Sequence, residues 1–116
     1  MLPTLYGLAH CDTCKKARAW MTANVIDYNF VDYRESPLSR EQLQAAANVI
    51  GWDKLVNRSS TTWRQLSETE RTASTPSEWL SLLAEHPTLI RRPLLIDHDH
   101  VDAGFAAPRY VAHFAL

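Results

Sequence analysis

The first 33 residues constrain the fold more than any other stretch of the chain. Leu2 to Leu8 is short and apolar, is punctuated by Pro3 and Gly7, and reads as a strand. Apolar residues then recur at Ala17, Trp20, Met21 and the pair Asn24-Val25, the i, i+3, i+4 spacing of an amphipathic helix. Tyr28 to Tyr33 alternates, with Tyr28 and Phe30 on one side and Asn29, Val31 and Tyr33 on the other, and reads as a second strand. A strand, a helix and a strand in so few residues form a βαβ unit, which forces its two strands to run parallel.

Both cysteines of the chain sit at the strand-to-helix junction, as Cys11-Asp12-Thr13-Cys14. A thiol at a helix start meets the positive end of the helix dipole, which favours the thiolate. Thiolate is the nucleophile of disulfide exchange, so the spacing points to redox chemistry. Cys11 is expected in the loop as the attacking thiol. Cys14 shares a helix face with Ala17, Arg18 and Met21, so it is expected to be the more buried sulfur and the resolving partner. Lys15, Lys16 and Arg18 follow at once. Cations in the first turns oppose the dipole, but beside a thiolate they lower its pKa and attract anions. Lys15 is therefore an anion-binding candidate, although simple solvation of the lysines explains them equally well.

Pro37 interrupts the pattern. Ser39 with Gln42 is a capping box opening a helix whose inner stripe is Leu43, Ala46, Ala47 and Ile50, and Gly51 is its stop signal. Thr61 is expected to cap a short helix running through Trp63 and Leu66, and Ser67 to Ser74 to be a polar surface connection. Thr75-Pro76-Ser77-Glu78 combines an N-cap, a proline at N1 and a glutamate at N3, ahead of Trp79, Leu82 and Leu83. The helix is expected to end at His86-Pro87. Leu94-Leu95-Ile96 reads as a third strand, Asp97 to His100 as a turn and Val101-Asp102-Ala103 as an antiparallel return. Pro108 suits the first turn of a closing helix with Val111 and Phe114 on its apolar side. The expected fold is α/β: a thioredoxin-like core in the order βαβ…ββα with a mixed sheet and an α-helical insertion at about 38–87, in one domain spanning 1–116.

Several function classes are disfavoured. A net charge of -1 gives no reason to expect nucleic acid or an acidic membrane as a partner. No apolar run approaches the roughly 20 residues of a membrane span. The first residues lack a basic segment followed by a long apolar one, so the expected location is cytoplasmic, where a structural disulfide is disfavoured. A structural zinc site usually takes four ligands. Beyond the cysteines the chain offers His10, His86, His98, His100 and His113, of which only His98 and His100 are close in sequence, so no metal is expected. His10 precedes Cys11, but adjacency does not set the direction of its ring. The four tryptophans, Trp20, Trp52, Trp63 and Trp79, are read as packing residues.

Taken together, several separated segments resemble the arsenate reductase/Spx (ArsC-like) family. They are Tyr6-Gly7, Cys11 through Trp20, Phe30-Val31-Asp32-Tyr33-Arg34, Leu55 through Arg64, Leu89 through Leu95 and Gly104-Phe105. Within that family the chain looks most like the YffB type, whose members are described as probable glutathione-dependent thiol reductases. The resemblance implies a thioredoxin-like fold with a helical insert and a cis-proline junction at Arg92-Pro93 beside the cysteine loop. It implies Cys11 as the nucleophile and Arg58 and Arg92 as the arginines that hold an oxyanion or thiolate adduct, a task suited to the planar, always charged guanidinium. Arg109 is a third, loosely aligned candidate. It implies no tightly bound cofactor, with glutathione as co-substrate or a glutaredoxin-type donor as partner and a small disulfide or oxyanion as substrate. Two other family activities compete: arsenate reduction, and Spx-like redox-sensing regulation of transcription through RNA polymerase. Arsenate reductases of the glutathione-linked type use a single loop cysteine with a histidine several residues before it, whereas here His10 is adjacent and Cys14 adds a second thiol.

Overall fold

The computed structural model describes all 116 residues. They divide into two compact units, one made of Met1–Ser36 with Arg92–Leu116 and the other of Pro37–Arg91.

The first unit carries β1 (Thr4–Gly7), α1 (Asp12–Ala23), β2 (Asn29–Asp32), β3 (Leu94–Asp97), β4 (His100–Ala103) and a closing helix, Ala107–Phe114. The four strands form one sheet in the order β2-β1-β3-β4. β1 pairs parallel with β2, Leu5 opposite Phe30, and antiparallel with β3, Leu5 opposite Leu95. β3 and β4 form a hairpin with Leu95 opposite Asp102. This is the thioredoxin-like βαβ…ββα arrangement expected from the element order, and the sheet is mixed. The core is built on Leu5, Ala17, Met21, Leu95 and Tyr110, with Trp20, Ile26, Tyr28, Phe30, Phe105 and Phe114 packed against it. Tyr110 meets Trp20 and Phe105 edge-on, with ring centroids 5.5 and 4.8 Å away. Edge-on contact sets positive ring edges against negative faces.

Two details of this unit differ from expectation. α1 stops at Ala23, and Val25 lies outside it in the left-handed region at φ 56°. The reason is a Schellman turn: the Ile26 N–H donates to Met21 O at 2.9 Å and the Val25 N–H to Thr22 O at 3.1 Å. Val25 is consequently 89% exposed. In the closing helix Tyr110, not Val111, faces the core with Phe114; Tyr110 is fully buried, whereas Val111 is 38% exposed. Residues 110 and 114 stand four apart and share a face, and Val111 is turned about 100° away from Tyr110.

The second unit is helical: α2 (Arg40–Ile50), α3 (Trp52–Leu55), α4 (Thr61–Arg64), α5 (Glu68–Arg71), α6 (Pro76–Glu85) and a short 3₁₀ turn at Pro87–Leu89. The Ser39/Gln42 and Thr75/Glu78 capping boxes are both formed. Gly51 ends α2 at φ 83°, a conformation that favours glycine. The cap of α4 is Ser60, whose hydroxyl accepts the Trp63 N–H at 3.1 Å, and Thr61 is the first helical residue. The segment expected to be a connection contains α5, capped by a Ser67/Glu70 box whose spacing is visible in the sequence. Within this unit Trp79 stacks with both Trp52 and Trp63, at centroid distances of 6.3 and 6.2 Å. The chain leaves the unit through a bridge between Val56 and Ile90, flanked by Asn57 N–H to Leu89 O and Arg91 N–H to Leu55 O, both 2.8 Å.

Candidate functional site

The site is built where β1 ends, between the ends of its two neighbours. Leu8–Cys11 turns the chain from β1 into α1, with the Cys11 N–H donating to Leu8 O at 3.2 Å. Cys11 is the N-cap residue of α1, in extended conformation, and its side chain does not cap the helix. Its sulfur is thus left for other partners while its carbonyl accepts the Lys15 N–H at 2.9 Å. The loop is tied down from β2: the Asp32 carboxylate accepts the Ala9 N–H at 3.3 Å and the Arg34 N–H at 2.9 Å. The Arg34 N–H is the larger of these influences, and together they hold the Asp32 carboxyl below its ordinary range.

The two thiols are unlike. Cys11 is partly exposed and Cys14 is buried, and both are free. Burial works to raise the Cys11 pKa, but hydrogen bonds from the Cys14 backbone, the Cys14 thiol, the Arg92 side chain and the Thr13 backbone outweigh it, and the result is a lowered value. Cys14 goes the other way: burial is the main cause, the neighbouring Cys11 adds to it, and the thiol is pushed up to about 11. Cys11 is therefore the more acidic of the two thiols, and the Cys14 thiol, held protonated by burial, donates to it. Gly7 makes this packing possible, because a Cβ there would lie 2.5 Å from Cys14 Sγ.

Arg92 reaches the cysteine from the bend just before β3, with a cis peptide bond to the buried Pro93. Its side chain bonds Cys11, and its Nη1 donates to the Tyr33 hydroxyl at 3.5 Å. Cys11, Cys14, Arg92 and Pro93 thus gather in the first unit. Tyr33 belongs with them. In the sequence Tyr33 is the last residue of an alternating strand and part of a segment that carries the family resemblance, and nothing in its spacing marks it as a partner of an arginine distant in the chain.

The other candidates are engaged elsewhere or exposed. Lys15 is exposed in the first turns of α1. Arg109 is held within the first unit, its Nε donating to both Asp102 oxygens at 3.1 Å and its Nη2 to Ala103 O at 3.3 Å. Arg58 lies in the helical unit. There it pairs with Asp53 at 2.9 Å and sits over the Trp63 and Trp79 rings at 5.7 and 5.2 Å. His10 is exposed. One group of metal-ligand type atoms, those of Glu70, Glu85 and His86, lies within 4.8 Å of one another, and neither cysteine belongs to it. No helix is long and apolar enough to cross a membrane.

Comparison with known proteins places this geometry. The global transcriptional regulator Spx of Streptococcus pyogenes is 30% identical over 104 residues, 88% of this chain and 77% of that protein. An uncharacterized protein of Haemophilus influenzae is 42% identical over 112 residues, 97% of this chain and 98% of its own. Among solved structures, a YffB protein matches with a TM-score of 0.90 at 34% identity over 95% of this chain and 96% of that one. An arsenate reductase (ArsC) related protein from Brucella melitensis matches with a TM-score of 0.76 at 36% identity over 100% and 97%. The ArsC family model covers residues 6–112. The chain belongs to the ArsC family.

Proposed function

We propose that this protein is a thiol–disulfide oxidoreductase, a glutathione-dependent thiol reductase with Cys11 as its nucleophile. The carrying observation is the pairing of a lowered Cys11 thiol with the Arg92 guanidinium at a helix N-terminus. In the first step the Cys11 thiolate attacks the glutathione sulfur of a mixed disulfide. The S–S bond breaks, a Cys11–glutathione disulfide forms, and the substrate leaves as a thiolate that takes a proton. A second glutathione thiolate then attacks the bound glutathione sulfur, releasing oxidised glutathione and restoring the Cys11 thiolate. The sum exchanges one disulfide for another: the substrate sulfur is reduced to a thiol, and one incoming glutathione thiol is oxidised as it joins the glutathione already held in the mixed disulfide. Arg92 offsets the negative charge at Cys11 in both steps, and Lys15 is an exposed cation for glutathione carboxylates.

The test is turnover of a glutathione mixed disulfide by the wild type and by Cys11→Ser. The variant is expected to lose essentially all activity over background, and equal rates would sink the proposal. Arsenate as the physiological substrate would instead show as arsenate-dependent NADPH oxidation in a glutathione/glutaredoxin-coupled assay. The likeness to Spx supports a second reading, a redox-sensing regulator that acts through RNA polymerase. Binding to the polymerase alpha subunit in one redox state would favour that reading, and absence of binding in both states would remove it.

A further inference from the structure

We propose that Tyr33 is a positioning residue for this site, its buried hydroxyl holding the Arg92 guanidinium in the orientation that meets the Cys11 sulfur. The inference rests on the thiol chemistry proposed above and extends it to a residue outside the cysteine loop and the cis-proline junction.

Three observations converge on Tyr33. First, it is completely buried, yet its hydroxyl accepts from Arg92 Nη1. A tyrosine that only filled space would serve as well as phenylalanine, and its hydroxyl would carry a desolvation cost. Second, the backbone fixes the ring. The Tyr33 N–H donates to Gly7 O at 3.1 Å, continuing the β1–β2 pairing by one residue beyond β2. The phenol therefore stands on the sheet and not on a mobile loop. Third, its neighbour Asp32 holds the Ala9 N–H on the cysteine loop. Two consecutive residues thus clamp the two sides of the site, Asp32 the loop that carries Cys11 and Tyr33 the guanidinium that faces it.

An arginine side chain has many rotamers, and only those that aim the planar fork at the sulfur stabilise a thiolate. Burial is the main cause that raises the Tyr33 phenol above its ordinary pKa, so it stays neutral and available as an acceptor across the working pH range. The hydroxyl thus selects an Arg92 rotamer without neutralising the charge that Cys11 needs.

The test is the pH dependence of Cys11 alkylation, resolved from Cys14 by tandem mass spectrometry, in wild type, Tyr33→Phe, Arg92→Ala and the double variant. Tyr33→Phe is expected to move the alkylation profile to higher pH and lower the rate at pH 7 about two- to fivefold, the worth of one hydrogen bond. In the Arg92→Ala background the same change is expected to do nothing further, because the hydroxyl acts through the guanidinium. A Tyr33→Phe profile that coincides with wild type overturns the positioning role, and so does a full additional effect without Arg92. If Tyr33→Phe does not fold, Arg92→Lys keeps the charge and loses the planar fork. It should shift the profile in the same direction, and an unmoved profile would overturn the proposal. Alkylation reports the thiolate whether or not mixed disulfides turn over. A wild-type Cys11 with ordinary acidity would defeat both proposals, whereas a lowered acidity indifferent to Tyr33 defeats only this one.

Discussion

Cys11 and Cys14 are separated by two residues and by opposite acid–base behaviour. One turn of helix carries Cys14 from the partly exposed N-cap to a buried position against Gly7, where the thiolate is desolvated. The sequence order of the pair and the identity of Cys11 as the outer thiol follow from helix geometry alone. The lowering of Cys11 follows only in part, because beside the Cys14 backbone and thiol, which are local, it draws on Arg92 from a distant part of the chain. Val25 is the residue whose conformation fits its type least. It is a β-branched side chain in the left-handed region, exposed, at the position after the C-cap of α1 where glycine is preferred. Val25→Gly is expected to stabilise the fold by about 1 kcal/mol, measured as a higher midpoint in urea with an unchanged slope. No gain would mean that the extra freedom of glycine in the unfolded chain cancels the relief of strain.

At the scale of elements, helix starts were more legible than helix contents. The Ser39/Gln42 and Thr75/Glu78 boxes form as their spacing requires, since the N-cap hydroxyl and the N3 side chain satisfy each other's backbone N–H groups. α5 carries the same Ser-x-x-Glu signal at Ser67, but its polar composition hides it among connecting residues. In the closing helix Phe114 packs on the core as its apolar character suggests, but Val111 does not. Tyr110 carries a hydroxyl but buries the larger ring area, so it takes the inward position. Thr75→Ala removes the cap of α6, whose Trp79, Leu80, Leu82 and Leu83 are all buried. It is expected to cost about 1 kcal/mol in chemical unfolding. Thr75→Ser, which keeps the hydroxyl, should recover most of that loss, whereas an equal loss in both variants would argue against the cap.

Across the whole molecule, one identifiable contribution to acid stability is predicted at a corner of the first unit, where the β3–β4 hairpin meets the closing helix. The His113 Nε2 lies 2.7 Å from one Asp97 oxygen and the His98 Nδ1 3.0 Å from the other, and the His100 and His113 rings stack at 3.7 Å. Burial, then the neighbouring His113, depress the His100 pKa below its ordinary 6.5. The unfolded chain therefore binds a proton at this site before the folded one does, and stability falls as pH drops below 6.5 towards the folded value. Burial works to raise the Asp97 carboxyl, but the hydrogen bonds with His113 and His98 outweigh it and hold the pKa below 3.8. Its contribution is complete above that value and is lost at more acid pH, as the folded carboxyl takes up its proton. Unfolding midpoints measured from pH 8 to pH 3 should decline in these two windows. His100→Gln should flatten the upper window and Asp97→Asn the lower, and an unchanged profile in either variant would remove that assignment. The βαβ start, the place of the cysteines at a helix N-terminus, the closing hairpin and the Ser39 and Thr75 caps are legible along the chain. These are local properties, set by side-chain period and by hydrogen bonds spanning three or four residues. That Arg92 and Tyr33 share a hydrogen bond beside Cys11, and that Asp102 holds Arg109, emerges with folding. The Arg92–Tyr33 contact depends on the sheet order β2-β1-β3, which brings the ends of three strands together from distant parts of the chain. No periodicity along one strand encodes which charged side chain its neighbour will present.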